Sequence, residues 1–98
     1  MYGLIGKINA VAGQRDALVR IMLQGVDEMP GCLSYIVAHD PNDANAIWVT
    51  EVWKDEAAHQ ASLALPAIIE TIAKAWPLIA SFGERVPTVP VGDHGLSR

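Results

Sequence analysis

One segment of this chain constrains its fold more than any other. Residues 46–53 read Ala-Ile-Trp-Val-Thr-Glu-Val-Trp. They alternate as a strand does, but Ile47, Val49 and Trp53 on one face are matched by Trp48 and Val52 on the other. The stretch before it, Cys32 to His39, is rich in Tyr, Ile and Val, as strands are. Between them, Asp40-Pro41-Asn42-Asp43-Ala44-Asn45 is a turn by composition. The two strands therefore form a hairpin that is apolar on both faces. A sheet built on it needs two covers, because soluble monomers rarely leave a large apolar patch open.

The remaining elements supply one cover. Tyr2 to Val11 reads as a strand, with Tyr2, Leu4, Ile8 and Ala10 on one face and Ile5, Lys7, Asn9 and Val11 on the other. Gly13 breaks it. A helix is expected over about residues 14–29, with Leu18, Ile21, Met22, Val26 and Met29 on one stripe. Pro30-Gly31 stops it. Asp55 is placed to cap a short helix reaching about Ser62. Pro66 suits the first turn of another, with Ile68, Ile69, Ile72 and Trp76 on its apolar face and Pro77 at its end. A fourth strand is expected near Phe82 to Val89, and Pro87 and Pro90 make it an edge strand or a short one.

The order β-α-β-β-α-β is the split βαβ arrangement, a ferredoxin-like α+β fold. The 98 residues suffice for one domain. It is expected over residues 1–91, with a flexible tail at 92–98. In this arrangement the helices cover one sheet face. A second copy packed sheet against sheet is the simplest cover for the other, so a homodimer is expected.

Charge and motifs narrow the function. A formal net charge of -4 argues against nucleic acid and against an anionic membrane surface. No segment approaches the roughly 18 apolar residues of a membrane span, and the N-terminus lacks the pattern of a signal peptide. The single Cys32 cannot form an internal disulfide, so a reducing cytoplasm is the expected setting. No GxGxxG follows a strand and no GxxxxGK[ST] is present, so no nucleotide cofactor is indicated. His39, His59 and His94 lack metal-ligand spacing, so no metal site is expected.

Three stretches together carry a family resemblance. They are Val11-Ala12-Gly13 before a helix, then Met29-Pro30-Gly31-Cys32-Leu33-Ser34-Tyr35, then Thr50-Glu51-Val52-Trp53-Lys54-Asp55-Glu56-Ala57. Over about residues 1–89 the chain resembles the antibiotic biosynthesis monooxygenase domain family, which includes quinol monooxygenases. The resemblance implies a dimeric α+β barrel with a pocket between sheet and helices in each subunit. It also implies a cofactor-free oxidation of a quinol or polyphenol-type aromatic by O2. A phenolate is itself a good electron donor, so the protein need supply only a dry pocket, a base or hydrogen-bond partner, and an aromatic wall. Some members have a tryptophan at the position of Trp53 and a tyrosine at that of His59. Others have a histidine where this chain has Ser62, or an asparagine where it has Val49, so only part of the family's site pattern is present.

His59 is the expected catalytic residue. It follows Trp53 on the short helix, and a histidine near its reference pKa of about 6.5 can take a phenol proton at neutral pH. The alternative is a surface or capping histidine. Trp53 is expected as core and as an aromatic wall against the substrate. Asn9, a polar residue within a strand, is a third substrate-binding candidate, unless it sits in solvent near the strand's end. Glu51 is expected to pair with Lys7 or Arg85 across the sheet rather than to act in chemistry. Trp48 is expected at the dimer interface, Trp76 in packing, and Cys32 as a small buried apolar residue. Two other functions compete: a non-enzymatic dimeric module binding small aromatics, and a haem-binding or haem-degrading protein. Haem degraders of this fold use a histidine around Leu63 to Ile68, where this chain has none.

Overall fold

The computed structural model describes residues 1–26 and 29–96. Strands β1 (Tyr2–Ala10), β2 (Cys32–His39), β3 (Ala46–Trp53) and β4 (Ile79–Thr88) form one antiparallel sheet in the order β2-β3-β1-β4. Helix α1 (Arg15–Gln24) follows β1, and helices α2 (Glu56–Ser62) and α3 (Pro66–Ala75) join β3 to β4. This is the βαββαβ α+β architecture expected from the sequence. No helix among the described residues is long and apolar enough to cross a membrane.

Strand alternation decides which residues meet the helices. Ile8, Tyr35, Val37, Ile47 and Val49 pack with Leu18 of α1 and Ala75 of α3. Leu18, Ile47 and Trp53 are the largest fully buried side chains. The other face carries Ile36, Thr50, Ile5 and Val86 in one row across all four strands. Ile36 is 56% exposed and Val86 45%, so the second apolar face is open in the single chain.

Glycine is required where the chain enters the sheet. Gly31 has φ +82°, a left-handed conformation that favours glycine. A Cβ there would also fall 2.7 Å from that of Ala58, so this turn sits tightly under α2.

Three sequence expectations need correction. The first helix ends at Gln24, with Gly25 as its cap, so Val26 and Met29 lie beyond it. Residues 27 and 28 of the expected helix lie outside the described residues. A Cβ at Gly25 would come 2.9 Å from Thr71 Oγ1, so the chain yields the helix where α3 passes close by. The fourth strand begins at Ile79, three residues before Phe82, because Pro77 is taken up in a 3₁₀ turn (Trp76–Leu78) that feeds straight into it. Trp76, expected in packing, is 63% exposed and lies against Phe82, with ring centroids 6.1 Å apart. Of the expected tail, residues 92–96 carry neither helix nor strand, and 97 and 98 lie outside the described residues. Pro87 does lie on an edge strand, because β4 is at the end of the sheet.

Candidate functional site

The site begins with the exit from β3. After Trp53 the chain turns, and Lys54 N–H donates to the Gly31 carbonyl at 2.9 Å. The Asp55 carboxylate accepts from Ala58 N–H at 2.7 Å, which starts α2 as an N-cap should. One turn into that helix, His59 comes back over the strand end. Its ring packs edge-on against Trp53, with centroids 5.4 Å apart, and tilts against Tyr2 at 5.5 Å. Tyr2 is the register partner of Trp53 across β1 and β3.

Between this corner and the helices lies a cavity of about 300 Å³. That is at the lower end of small-ligand sites. Trp53, Tyr35, Ile8 and Phe82 line it from the sheet, Leu18 and Met22 from α1, and Ile68, Ile72 and Ala75 from α3. Most of the lining is therefore apolar. Two of its polar side chains are already engaged. Ser62 Oγ donates to the His59 carbonyl at 2.6 Å, and Thr71 Oγ1 to the Ala67 carbonyl at 2.9 Å. Glu51, His59 and Tyr35 remain as polar groups facing the space.

Glu51 is at the centre of them. Trp53 Nε1 donates to Glu51 Oε1 at 3.0 Å, and His59 Nε2 lies 3.9 Å from the same oxygen. The side chains of His59 and Glu51 are 8% and 15% exposed, so this is a largely desolvated pair. His59 Nδ1 is fully buried and has no hydrogen-bond partner. Leaving such a group unpaired costs about 1–3 kcal/mol, and in native proteins it calls for a functional or structural reason. Tyr35 is the register partner of Glu51. Burial first, and then the Glu51 charge, push its hydroxyl well above the ordinary tyrosine range, so it stays protonated and can donate.

The structure brings together two of the three site residues expected from the sequence, His59 and Trp53. Asn9 it places on the opposite sheet face, where its amide donates to Ser81 Oγ at 3.1 Å. The alternation that puts Ile8 in the cavity necessarily turns Asn9 away. The ion pair expected for Glu51 is not formed among the described residues. Lys7 is on the opposite face, with Nζ 5.7 Å from the Trp48 ring centroid. Arg85 and Glu51 both line a second depression beside the cavity, without an ion pair. Glu51 and Tyr35 are thus the groups that sequence reading undervalued. Both lie on the face of Trp53, a fact available only once strand register is known. Cys32 is held as a neutral thiol, because burial raises its pKa. No group of three or more His, Cys, Asp or Glu residues arranged to hold a metal occurs among the described residues.

Comparison with known proteins agrees with this fold. Residues 1–74 match the antibiotic biosynthesis monooxygenase family. A crystal structure from Chloroflexus aurantiacus J-10-fl, named for that family, is 56% identical, with 98% of each chain covered and a TM-score of 0.95. A Deinococcus radiodurans structure, also named for the family, is 22% identical over 100% of each chain, with a TM-score of 0.78. One from Pseudomonas aeruginosa is 22% identical over 93% of this chain and 94% of that one, with a TM-score of 0.79. The last two show the fold alone. No curated protein matches the chain. The family match over residues 1–74, together with a 56%-identical relative aligned over nearly the whole chain, places this protein in the antibiotic biosynthesis monooxygenase family.

Proposed function

We propose that the protein is a cofactor-independent monooxygenase that oxidises a quinol or polyphenol-type aromatic with O2. One observation carries this reading. An apolar cavity the size of a small aromatic ends in an aromatic wall, Trp53, with a protonated tyrosine, a carboxylate and an imidazole beside it. Such a place suits an aromatic ring whose hydroxyl must be held and ionised. In the reaction, one atom of O2 enters the ring and the other leaves as water. The quinol itself supplies the electrons, so no external reductant is required.

His59 is the catalytic residue that meets the substrate hydroxyl, through Nε2, and Trp53 is the wall on which the ring lies. The active form is a homodimer, probed by light scattering. The open row of Ile5, Ile36 and Val86 supports it, because pairing two such faces removes a patch that a soluble monomer rarely tolerates. A particle of 10.5 kDa at micromolar concentration would remove that part of the reading.

Oxygen uptake with hydroquinone tests the chemistry. The wild-type protein should consume O2 without added flavin, haem or metal. His59→Ala should lower kcat at least roughly tenfold while the protein stays folded. If the protein binds quinols but consumes no oxygen, a non-enzymatic aromatic-binding module replaces this reading.

A further inference from the structure

We propose that Glu51 is a second catalytic residue, the group that takes the proton from the substrate hydroxyl, with His59 Nε2 as the donor that holds the resulting oxyanion. The proposal rests on the phenol-oxidising reading above and concerns which atom receives the proton.

Three observations lead to it. A histidine that relays a proton while a carboxylate holds it uses two different nitrogens, one for each partner. Here the only nitrogen that faces Glu51 is Nε2, at 3.9 Å, and Nδ1 is sealed without a partner. His59 therefore cannot be steered by Glu51 on one side and serve substrate on the other. Second, 3.9 Å is too long for a direct hydrogen bond, yet it leaves room for an oxygen at about 2.8 Å from both groups. A substrate hydroxyl in that gap donates to the carboxylate and accepts from Nε2–H. Third, no lysine or arginine lies within ion-pair distance of Glu51 among the described residues, and only one of its oxygens is engaged, by the Trp53 indole.

The step balances. The substrate O–H bond breaks, its proton forms a bond to a Glu51 oxygen, and the electron pair stays on the substrate oxygen. Phenol plus carboxylate becomes phenolate plus carboxylic acid, so the cavity carries one negative charge before and after. No charge is created in the apolar space. The titratable or charged groups around Glu51 are His59 from α2, Tyr35 and Cys32 from β2 and, lining the neighbouring depression without an ion pair to it, Lys7 from β1 and Glu84 and Arg85 from β4; the cavity lining from α1 and α3 is apolar or hydroxyl-bearing.

Glu51→Gln is the decisive variant. Its amide oxygen can still accept from the Trp53 indole, so the wall keeps its anchor. With hydroquinone, kcat should fall about 10²–10⁴-fold, the usual worth of a general base. With tetrafluorohydroquinone, at a pH where it is already ionised, the loss should shrink to about tenfold or less, because no proton need be taken. His59→Gln should lose activity on both substrates, because the oxyanion still needs its donor. If Glu51→Gln oxidises hydroquinone as fast as wild type, the proposal is overturned. If wild type oxidises neither quinol, the phenol-oxidising reading fails, and Glu51 is judged by binding alone, with 4-nitrophenol as probe. Its absorbance reports ionisation. Glu51→Gln should shift the bound ligand toward the neutral phenol, since the group that takes its proton is gone; an unchanged spectrum refutes the role.

Discussion

The two ends of the helix–sheet layer are built from similar residues but filled differently. At one end, Ile47 and Val49 of β3 and Ala10 of β1 close into a core, and Ile47 is 0% exposed; Leu18 and Ala75 join that core on one side and line the hollow on the other. At the other, Trp53, Tyr35, Ile72 and Phe82 surround about 300 Å³ of space. The difference comes from element length and approach rather than hydrophobicity. Helices α1 and α3 close the hollow where Gly25 meets Thr71, and both residues line it. Helix α2 has only seven residues, and the chain leaves it through a turn before α3 begins at Pro66. It covers the strand end at Trp53 but does not reach across the sheet. A protein interior normally packs as densely as an organic crystal, so a hollow of this size is itself a functional sign.

Substitutions can break this contrast. The largest effect should be the difference between matched changes at the two ends. Ile47→Ala removes a fully buried side chain from the filled end and should cost about 2–5 kcal/mol in urea unfolding. Ile72→Ala, on the cavity wall and already 45% exposed, should change stability by about 0.5 kcal/mol or less while weakening quinol binding. Equal losses at both sites would mean that the hollow is collapsed in solution.

A smaller effect sharpens the comparison at the hollow end. Asp55→Ala removes the cap of the helix that carries His59 and should cost about 1 kcal/mol. Because α2 has few other anchors, the loss should be local. Hydrogen exchange should rise along residues 56–62, and kcat should fall, with Ile47 and its neighbours unaffected. A uniform loss of protection across the chain would show that the two ends unfold as one.

Much of this was legible in the residues, for identifiable reasons. The bounds of β2 and β3 followed from their β-branched and aromatic runs and from the polar turn between them. The start of α2 followed from Asp55 and that of α3 from Pro66, both local signals. The end of α1 was not legible, because its apolar stripe runs on beyond the glycine at which it stops. For the site, the pairing of His59 with Trp53 could be read, since a strand end and one helical turn fix their separation. Asn9 misled because a polar residue in a strand marks either face, and Glu51 because an acid on a sheet suggests a basic partner somewhere across it.

What the sequence by itself determined, then, is whatever depends on neighbours a few residues apart: the element order, the α+β class, the alternation of each strand and the cap that places His59. What only the tertiary structure decided is which groups share a space. Glu51, Trp53 and His59 lie within nine residues, but Tyr2 and Tyr35 come from other strands, and the cavity is closed by α1 and α3. Strand register and helix approach are collective outcomes of packing. A carboxylate with no ion-paired lysine or arginine, facing an imidazole whose other nitrogen is sealed, is a property of that packing, and no single segment encodes it.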